Sequence, residues 1–582
     1  MRDISDLRHD KNKSMLCMFV LLCRWLVVSF YCYCFLGSFF TQAAFAADSD
    51  SNVPDTCRIM EFEHDIKDKA TYHREAFAPY EGRTIGDISI VVNDVFDETD
   101  PREDKALYRL VNNIQINTKK STIRNQLLFT EGDTINALKV EESIRILFGR
   151  EYVMEAFAYV HEDCANDVNI TIVIRDAWVI EPVFSYGREG GETSSNIGFR
   201  DANFLGSGNE VSLLYESNAE RNKVIYRYKT HNFLGQRWEA DFYHAELSDG
   251  VDSRFALEKP FYSANTLWAY GLESGSISLE YNTRYSGDII NKFTQKVDVD
   301  SLFLGKAIER EDEHSHRIKV GWTQENMTFS ELDNTNLLPE NEEQIYPWIE
   351  FERITNNYRR YENFSYIGRE SDVPVGTDFR VRVGVGHFGN GERLYRVLAR
   401  YSAAVSYSDT YVFQMNSSAD LLREDATDSL RNSVVSVEGR YHYFINDKNR
   451  WYVKVGLSRG YNLAQFRQLT IGEVEGVRGY PLAYQRGDKR YVLNVERRFY
   501  SDLHWLNIVR LGAVVFFDMG RAWGIDEFPS DDVLKSVGFG LRLHSSKVGN
   551  PSVVHMNVGF PILNDSDDLN DALFSISVES QF

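Results

Sequence analysis

From Val179 to Phe582 the chain is written in segments of about ten residues in which apolar and polar residues alternate strictly. Successive side chains of a strand point to opposite faces, so a period of two gives each segment one apolar side. Val434 to Tyr443 places Val435, Val437, Tyr441 and Tyr443 on one face, with Ser436, Glu438, Arg440 and His442 on the other. Trp451 to Ser458 sets Trp451, Val453, Val455 and Leu457 against Lys454 and Ser458. The final segment, Leu573 to Phe582, sets Phe574, Ile576, Val578 and Phe582 against Ser575, Ser577, Glu579 and Gln581. A soluble sandwich alternates too, but here the polar face carries charge in segment after segment. A closed barrel in lipid needs an apolar outside and tolerates a wet interior. The 32 Tyr and 37 Phe suit the aromatic girdles of such a barrel. At about 25 residues per strand and connection, the span accommodates roughly 16 antiparallel strands, each needing about 9–11 residues to cross. A short repeat, Asn203-Phe-Leu-Gly206 and Asn232-Phe-Leu-Gly235, leads each time into an alternating segment and suggests serial hairpins.

The front of the chain reads as an export signal. Arg2, Arg8, Lys11, Lys13 and Arg24 make it positive, Trp25 to Phe40 is uncharged and largely apolar, and Ala44-Phe45-Ala46 offers a cleavage site. Residues 1–46 are therefore expected to be a signal peptide, with Met15 and Met18 as alternative starts. The apolar run falls short of the about 20 residues a spanning helix needs. Four of the six cysteines lie in this segment, leaving Cys57 and Cys164; whether those two pair is open at this point. An acidic stretch with little periodicity follows, so 47–82 is read as an N-terminal extension. The net charge of −22 argues against nucleic acid as a partner.

Residues 83–178 change period. Thr84 to Val92 alternates, with Ile88, Ile90 and Val92 on one face. A helix opening near Thr118 carries Ile123, Leu127 and Leu128, and Glu131-Gly132-Asp133 ends it. Asn136 is placed to cap a second helix through Phe148, with Leu138, Ile144 and Leu147 inward. Met154 to Val160 and Asp167 to Arg175 predict two more strands, the second with Val168, Ile170, Ile172 and Ile174 on one face. The order β-α-α-β-β makes one small α+β domain before a barrel at 179–582.

These motifs point to a family. The β-α-α-β-β unit, with IRNQLLFTEGD (Ile123 to Asp133) and EESIRILFGREYV (Glu141 to Val153), resembles a POTRA domain. The remainder resembles the bacterial surface antigen barrel of the BamA/TamA superfamily. VRGY (Val477 to Tyr480) looks like that barrel's signature on the sixth extracellular loop. FFDMGRAW (Phe516 to Trp523) looks like its Phe-x-Asp-x-Gly strand, and the terminal aromatic strand with Ile576, Val578 and Phe582 like a C-terminal outer-membrane signal. The resemblance implies a 16-stranded outer-membrane barrel of a Gram-negative bacterium with one POTRA domain in the periplasm. It also implies insertion or translocation of other proteins. Carried over, Arg478 pairs with Asp518 and with Glu496 on the inner wall.

The residues themselves fit such a pairing. Asp518 and Gly520 share a strand face opposite Phe517, and Gly479 and Gly520 allow close backbone approach. Tyr480 can fill space against the wall. A confined guanidinium without its carboxylate costs roughly 3–5 kcal/mol.

The expected partners are outer-membrane lipid and extended clients in the periplasm. Clients would add a strand to the POTRA edge formed by Met154, Ala156, Ala158 and Val160. A two-partner-type exporter of one dedicated substrate, and a porin-like binding barrel, are the alternatives. No enzyme and no cofactor is expected. No Gly-x-Ser-x-Gly occurs, and Gly538-Phe-Gly540 lacks the helix and Lys-Ser/Thr of a phosphate loop. His314-x-His316 would lie on one side of a strand, but no third ligand was recognised beside it and no metal is expected.

Overall fold

A computed structural model describes residues 58–59 and 72–579, apart from 102, 165, 264–265, 311–313, 334, 356, 369, 408–409, 507, 527–531, 547–552 and 563–571. The expected signal peptide at 1–46, most of the extension before residue 72, and Phe582 lie outside the described residues.

The small domain is a four-stranded sheet of β1 (Arg58–Ile59), β2 (Thr84–Asn93), β3 (Val153–Asp163) and β4 (Asp167–Asp176), in the order β1-β3-β4-β2. β2 runs parallel to β4, and β3 antiparallel to it. Alternation sets its core: Ile88 and Ile90 from β2 and Val168, Ile170, Ile172 and Ile174 from β4 are buried. They pack under the helix Ala137–Phe148, whose Asn136 side chain accepts a hydrogen bond from the Lys139 N–H at 3.0 Å. The helix expected near Thr118 is only Lys120–Arg124, yet it still buries Ile123.

The helix Ala106–Ile114 was not anticipated, nor was the short helix Tyr72–Phe77 before it; the longer one is the more informative. It follows an acidic loop and its N-cap Lys105 makes no side-chain cap, so the usual start signals are missing. Tyr108 and Val111 pack with Val95, Phe96, Trp178 and Ile508. Leu107, Leu110 and Ile114, on the adjacent stripe, are more than half exposed.

The barrel opens with six strands of ordinary length: β5 (Ile180–Glu189), β6 (Glu192–Asp201), β7 (Asn209–Ser217), β8 (Asn222–Phe233), β9 (Trp238–Leu247) and β10 (Gly250–Lys259). Longer ones follow: β11 (Trp268–Tyr285), β12 (Asp288–Arg310), β13 (His314–Glu331) and β14 (Glu342–Thr355). A separate hairpin, β15 (Tyr358–Glu362) and β16 (Glu370–Pro374), interrupts the wall. The wall resumes with β17 (Gly376–Phe388), β18 (Arg393–Tyr407), β19 (Tyr411–Glu424), β20 (Ser429–Asn446) and β21 (Asn449–Tyr461). After a second hairpin, β22 (Leu469–Ile471) and β23 (Gln485–Gly487), come β24 (Lys489–Trp505), β25 (Val509–Trp523), β26 (Leu534–Ser545), β27 (Val553–Pro561) and β28 (Leu573–Glu579). β28 closes on β5.

The closed antiparallel barrel therefore has 20 strands, not 16. The estimate assumed a long connection after every strand. Instead β5–β6, β9–β10, β11–β12 and β20–β21 are joined by two residues each, and the first six strands are 9–12 residues long. The VRGY loop consequently becomes the eighth at its end of the barrel, not the sixth.

Alternation divides the wall as its chemistry requires. Trp451, Val455, Leu457, Phe539, Leu541 and Val578 are exposed on the outside. Inside, Glu438 accepts from Arg440 at 2.7 Å, and Glu350 and Glu352 meet Lys319, Arg380 and Arg382. The Asn-Phe-Leu-Gly repeat is one turn used twice. Leu205 and Leu234 take φ of 54° and 56°, and Gly206 and Gly235 both take 71°. Asn203 and Asn232 each accept from the amide five residues on, Gly208 at 2.7 Å and Arg237 at 2.9 Å. Both turns dock the small domain. Gly206 O accepts from Lys119 N and Thr122 Oγ1, each at 2.9 Å, and Arg237 donates to the carbonyls of Asn125 and Leu127.

Candidate functional site: the inward loop and the barrel seam

The connection between β21 and β24 leaves the rim and folds into the lumen. Ile471, Val477 and Tyr480 are buried against Val492, Ala522 and Leu534. This apolar contact carries the neighbouring Arg478 to the wall.

Arg478 Nε donates to Asp518 Oδ2 at 2.7 Å and its Nη2 to Asp518 Oδ1 at 2.8 Å, a bidentate pair. The Arg478 backbone N–H also donates to Oδ2, at 3.2 Å. Nη2 stands 2.8 Å from Glu496 Oε1, and Arg498 donates to the other oxygen of Glu496 at 2.7 Å. Asn494, the register partner of Asp518, donates to Oδ1 at 2.7 Å and to Gly476 O at 2.6 Å. The guanidinium lies 3.6 Å over the ring of Phe516, while Arg498 lies 3.8 Å over Tyr452. Two arginines and two carboxylates thus form a neutral quartet whose faces are closed by aromatic rings. Such closure favours arginine over lysine, because only the planar guanidinium stacks while it forks.

The glycines allow the approach. Gly479 adopts φ +93°, and a Cβ there would lie 3.1 Å from the Gly559 carbonyl carbon. A Cβ on Gly520 would meet Ile471 Cδ1 at 2.5 Å and Tyr491 O at 2.7 Å. Gly559 was not singled out from the sequence, yet its own Cβ would lie 2.9 Å from Gly479 N. An isolated glycine within an alternating strand was its available signal. Asn494, Phe516 and Arg498 were missed because alternation marks them only as wall residues.

The same loop reaches both sides of the closure between β28 and β5. Towards the end of the barrel, Tyr480 Oη donates to Lys535 O at 3.1 Å, and Gly479 rests on Gly559 of β27. Towards the beginning, the Gly190 N–H at the β5–β6 tip donates to Glu473 Oε2 at 2.8 Å, and Leu482 N–H to Gly190 O at 3.4 Å. Among the described residues the closure itself has one register pair, Ile576 with Arg188. Its neighbours, β27–β28 and β5–β6, have ladders of seven and ten.

No family model and no curated protein matches the chain. Solved structures do. BamA from Haemophilus ducreyi lacking POTRA domains 1–3 is 12% identical, over 84% of each chain, with a TM-score of 0.37. CdiB from Acinetobacter baumannii is 11% identical over 99% of each chain, at 0.40. CdiB from Escherichia coli is 12% identical over 85% of this chain and 76% of the other, at 0.43. The chain is similar to BamA and CdiB.

The remaining expected site residues divide by strand face. On β3, Ala156 and Ala158 are buried in the domain core, and Met154 and Val160 are partly buried. Of the four, Ala156, Ala158 and Val160 face the domain core, while Met154 lies at the register shift between Val153 and Glu155. Glu155, Phe157 and Tyr159 occupy the other face. β3 pairs with β4 on one side and with β1, at Glu162 and Asp163, on the other. On β28, Val578 is exposed on the outer wall and Ile576 sits at the seam. Cys164 is disulfide-bonded.

Proposed function

We propose that this protein is an outer-membrane barrel that assists the insertion or translocation of other proteins. The small domain stands in the periplasm, and the β28–β5 seam is the part of the wall that opens. The observation that carries this reading is the contrast at the seam. Among the described residues one register pair joins β28 to β5, where the neighbouring ladders have seven or more, and a loop locked by Arg478 grips both sides of the seam. A short ladder is the place where an incoming strand's backbone can most readily compete for pairing, so such a seam invites strand addition. The lock then acts on the free energy of opening, with no covalent step and no cofactor.

Clients would be gathered by adding a strand to β3 of the small domain, on the side where β1 pairs at Glu162 and Asp163. The aromatic pair Phe157 and Tyr159, ring centroids 6.2 Å apart, lies on the solvent-side face of that strand. A second reading, a dedicated exporter, is favoured by the charged lumen. A cavity of about 430 Å³ beside the loop is lined by Arg400, Glu438, Lys454, Glu475 and Arg490, suited to passing a polar chain.

Cysteines at the register partners, Arg188→Cys with Ile576→Cys, test the seam. The oxidised double variant is expected to insert and to shift its gel band on heating like the parent, while the abundance of client outer-membrane proteins falls; reduction restores it. Equal client levels with the bond formed would remove the seam from the mechanism. A photo-crosslinker at Tyr159 is expected to trap clients. One secreted species trapped, with outer-membrane proteins unaffected, selects the exporter; unchanged clients with altered solute permeability select a porin-like barrel.

A further inference from the structure

Outside the loop site, the β12–β13 hairpin gathers three metal-ligating side chains at its turn. Glu309 on β12 is the register partner of His316 on β13, because a bulge after Ala307 lets Ile308 pass out of the ladder. His314 stands two residues before His316 and so shares its face. His316 Nδ1 lies 2.6 Å from Glu309 Oε2, and the two imidazole centroids are 5.2 Å apart. One ligand atom from each of the three residues lies within 4.8 Å of the other two. Sequence reading missed the set because the third ligand comes from the neighbouring strand.

We propose that Glu309, His314 and His316 bind one divalent transition-metal ion of the zinc class. Two imidazoles and a carboxylate suit zinc, nickel, copper or cobalt rather than magnesium or calcium, which take oxygen ligands. Zinc bonds of about 2.0–2.2 Å place tetrahedral ligand atoms roughly 3.3–3.5 Å apart. The present spread closes to that by small side-chain rotations, as the ion takes the place of the proton now shared by His316 and Glu309. The ring of His316 is stacked on Phe351 of β14, centroids 5.8 Å apart at 28°, which limits its freedom before binding. Ser315 and Arg317, of opposite parity, are buried towards the lumen, whereas both histidines are only partly buried. The ion therefore sits on the outer side of the barrel rim, reachable from solvent. Three protein ligands leave a fourth position for water or an oxygen donor from outside the chain.

The test uses the untagged full chain in detergent, stripped with a chelator and dialysed free of it. Titration with Co²⁺ is expected to give the visible absorption of a tetrahedral site, and calorimetry with Zn²⁺ one ion per chain. His316→Asn, His314→Asn and Glu309→Gln should each weaken zinc by more than the roughly 10–100-fold that altering an outer-shell partner costs. Glu309 is exposed and both histidines are only partly buried at a hairpin end, so the variants should keep the parent's heat-shifted gel band as proof of folding. Absence of a cobalt spectrum, or zinc binding by the folded variants within twofold of the parent, overturns the proposal.

Discussion

Removing the Arg478 side chain is the sharpest test of the loop lock. Arg478→Ala deletes the two bonds to Asp518, at 2.7 and 2.8 Å, and the contact with Glu496 at 2.8 Å. The two acids then differ. Glu496 keeps Arg498 at 2.7 Å, so its charge remains matched. Asp518, fully buried, keeps only hydrogen bonds from the Asn494 amide and from the backbone N–H of residue 478. An uncompensated buried carboxylate of this kind costs about 3–5 kcal/mol, two to three and a half decades in the equilibrium between locked and released loop. The global barrel ladders are untouched, so the loss should appear first as release of the loop. Limited proteolysis between β21 and β24 should speed up in Arg478→Ala, and the midpoint of heat-induced unfolding in detergent should fall. Arg478→Lys should recover only part, because a lysine neither forks onto Asp518 nor stacks on Phe516. Arg478→Asp with Asp518→Arg should recover more than either single change, though Glu496 then faces an acid from the loop. Proteolysis and unfolding of Arg478→Ala indistinguishable from the parent would refute the reasoning, since a surface arginine behaves in that way.

Two further perturbations follow. Gly559→Ala should loosen the loop without touching any charge, because the new Cβ meets Gly479 N at 2.9 Å; its proteolysis rate should move towards that of Arg478→Ala, and an unchanged rate would mean that the two backbones do not meet. In the small domain, burial pushes the Asp176 carboxyl up to about 6, against the lowering effect of hydrogen bonds from Thr118. A folded pKa above the unfolded value of 3.8 means that the native state binds more protons between them. Domain stability should therefore fall as pH rises from about 4 to 6, by about 3 kcal/mol in all. Asp176→Asn should abolish that slope and be the more stable form at neutral pH, measured by unfolding across that range.

Much of the fold was legible because its cause is local. A strand's period of two is a property of the backbone, so Val435, Trp451 and Phe574 declare an outer face without reference to any partner. Asn136 caps its helix from three residues away, which is also local. The helix Ala106–Ile114 lacks a capping signal, and its available signal was the helical spacing of Leu107, Leu110, Val111 and Ile114.

Alternation, the export-like front and the pairing of VRGY with FFDMG were thus set by sequence alone, since each depends on neighbours within a few residues or on a recognisable motif. The number of strands was not, because it is decided by turn length and by which ladders close, and four two-residue turns were enough to turn an estimate of 16 into 20. Only tertiary structure brought Gly559 against Gly479, put the loop on both sides of the β28–β5 seam, and set Glu309 beside His316. Each of these meetings is made by hydrogen-bonded register or loop packing between segments, and neither leaves a trace in the order of residues along one strand.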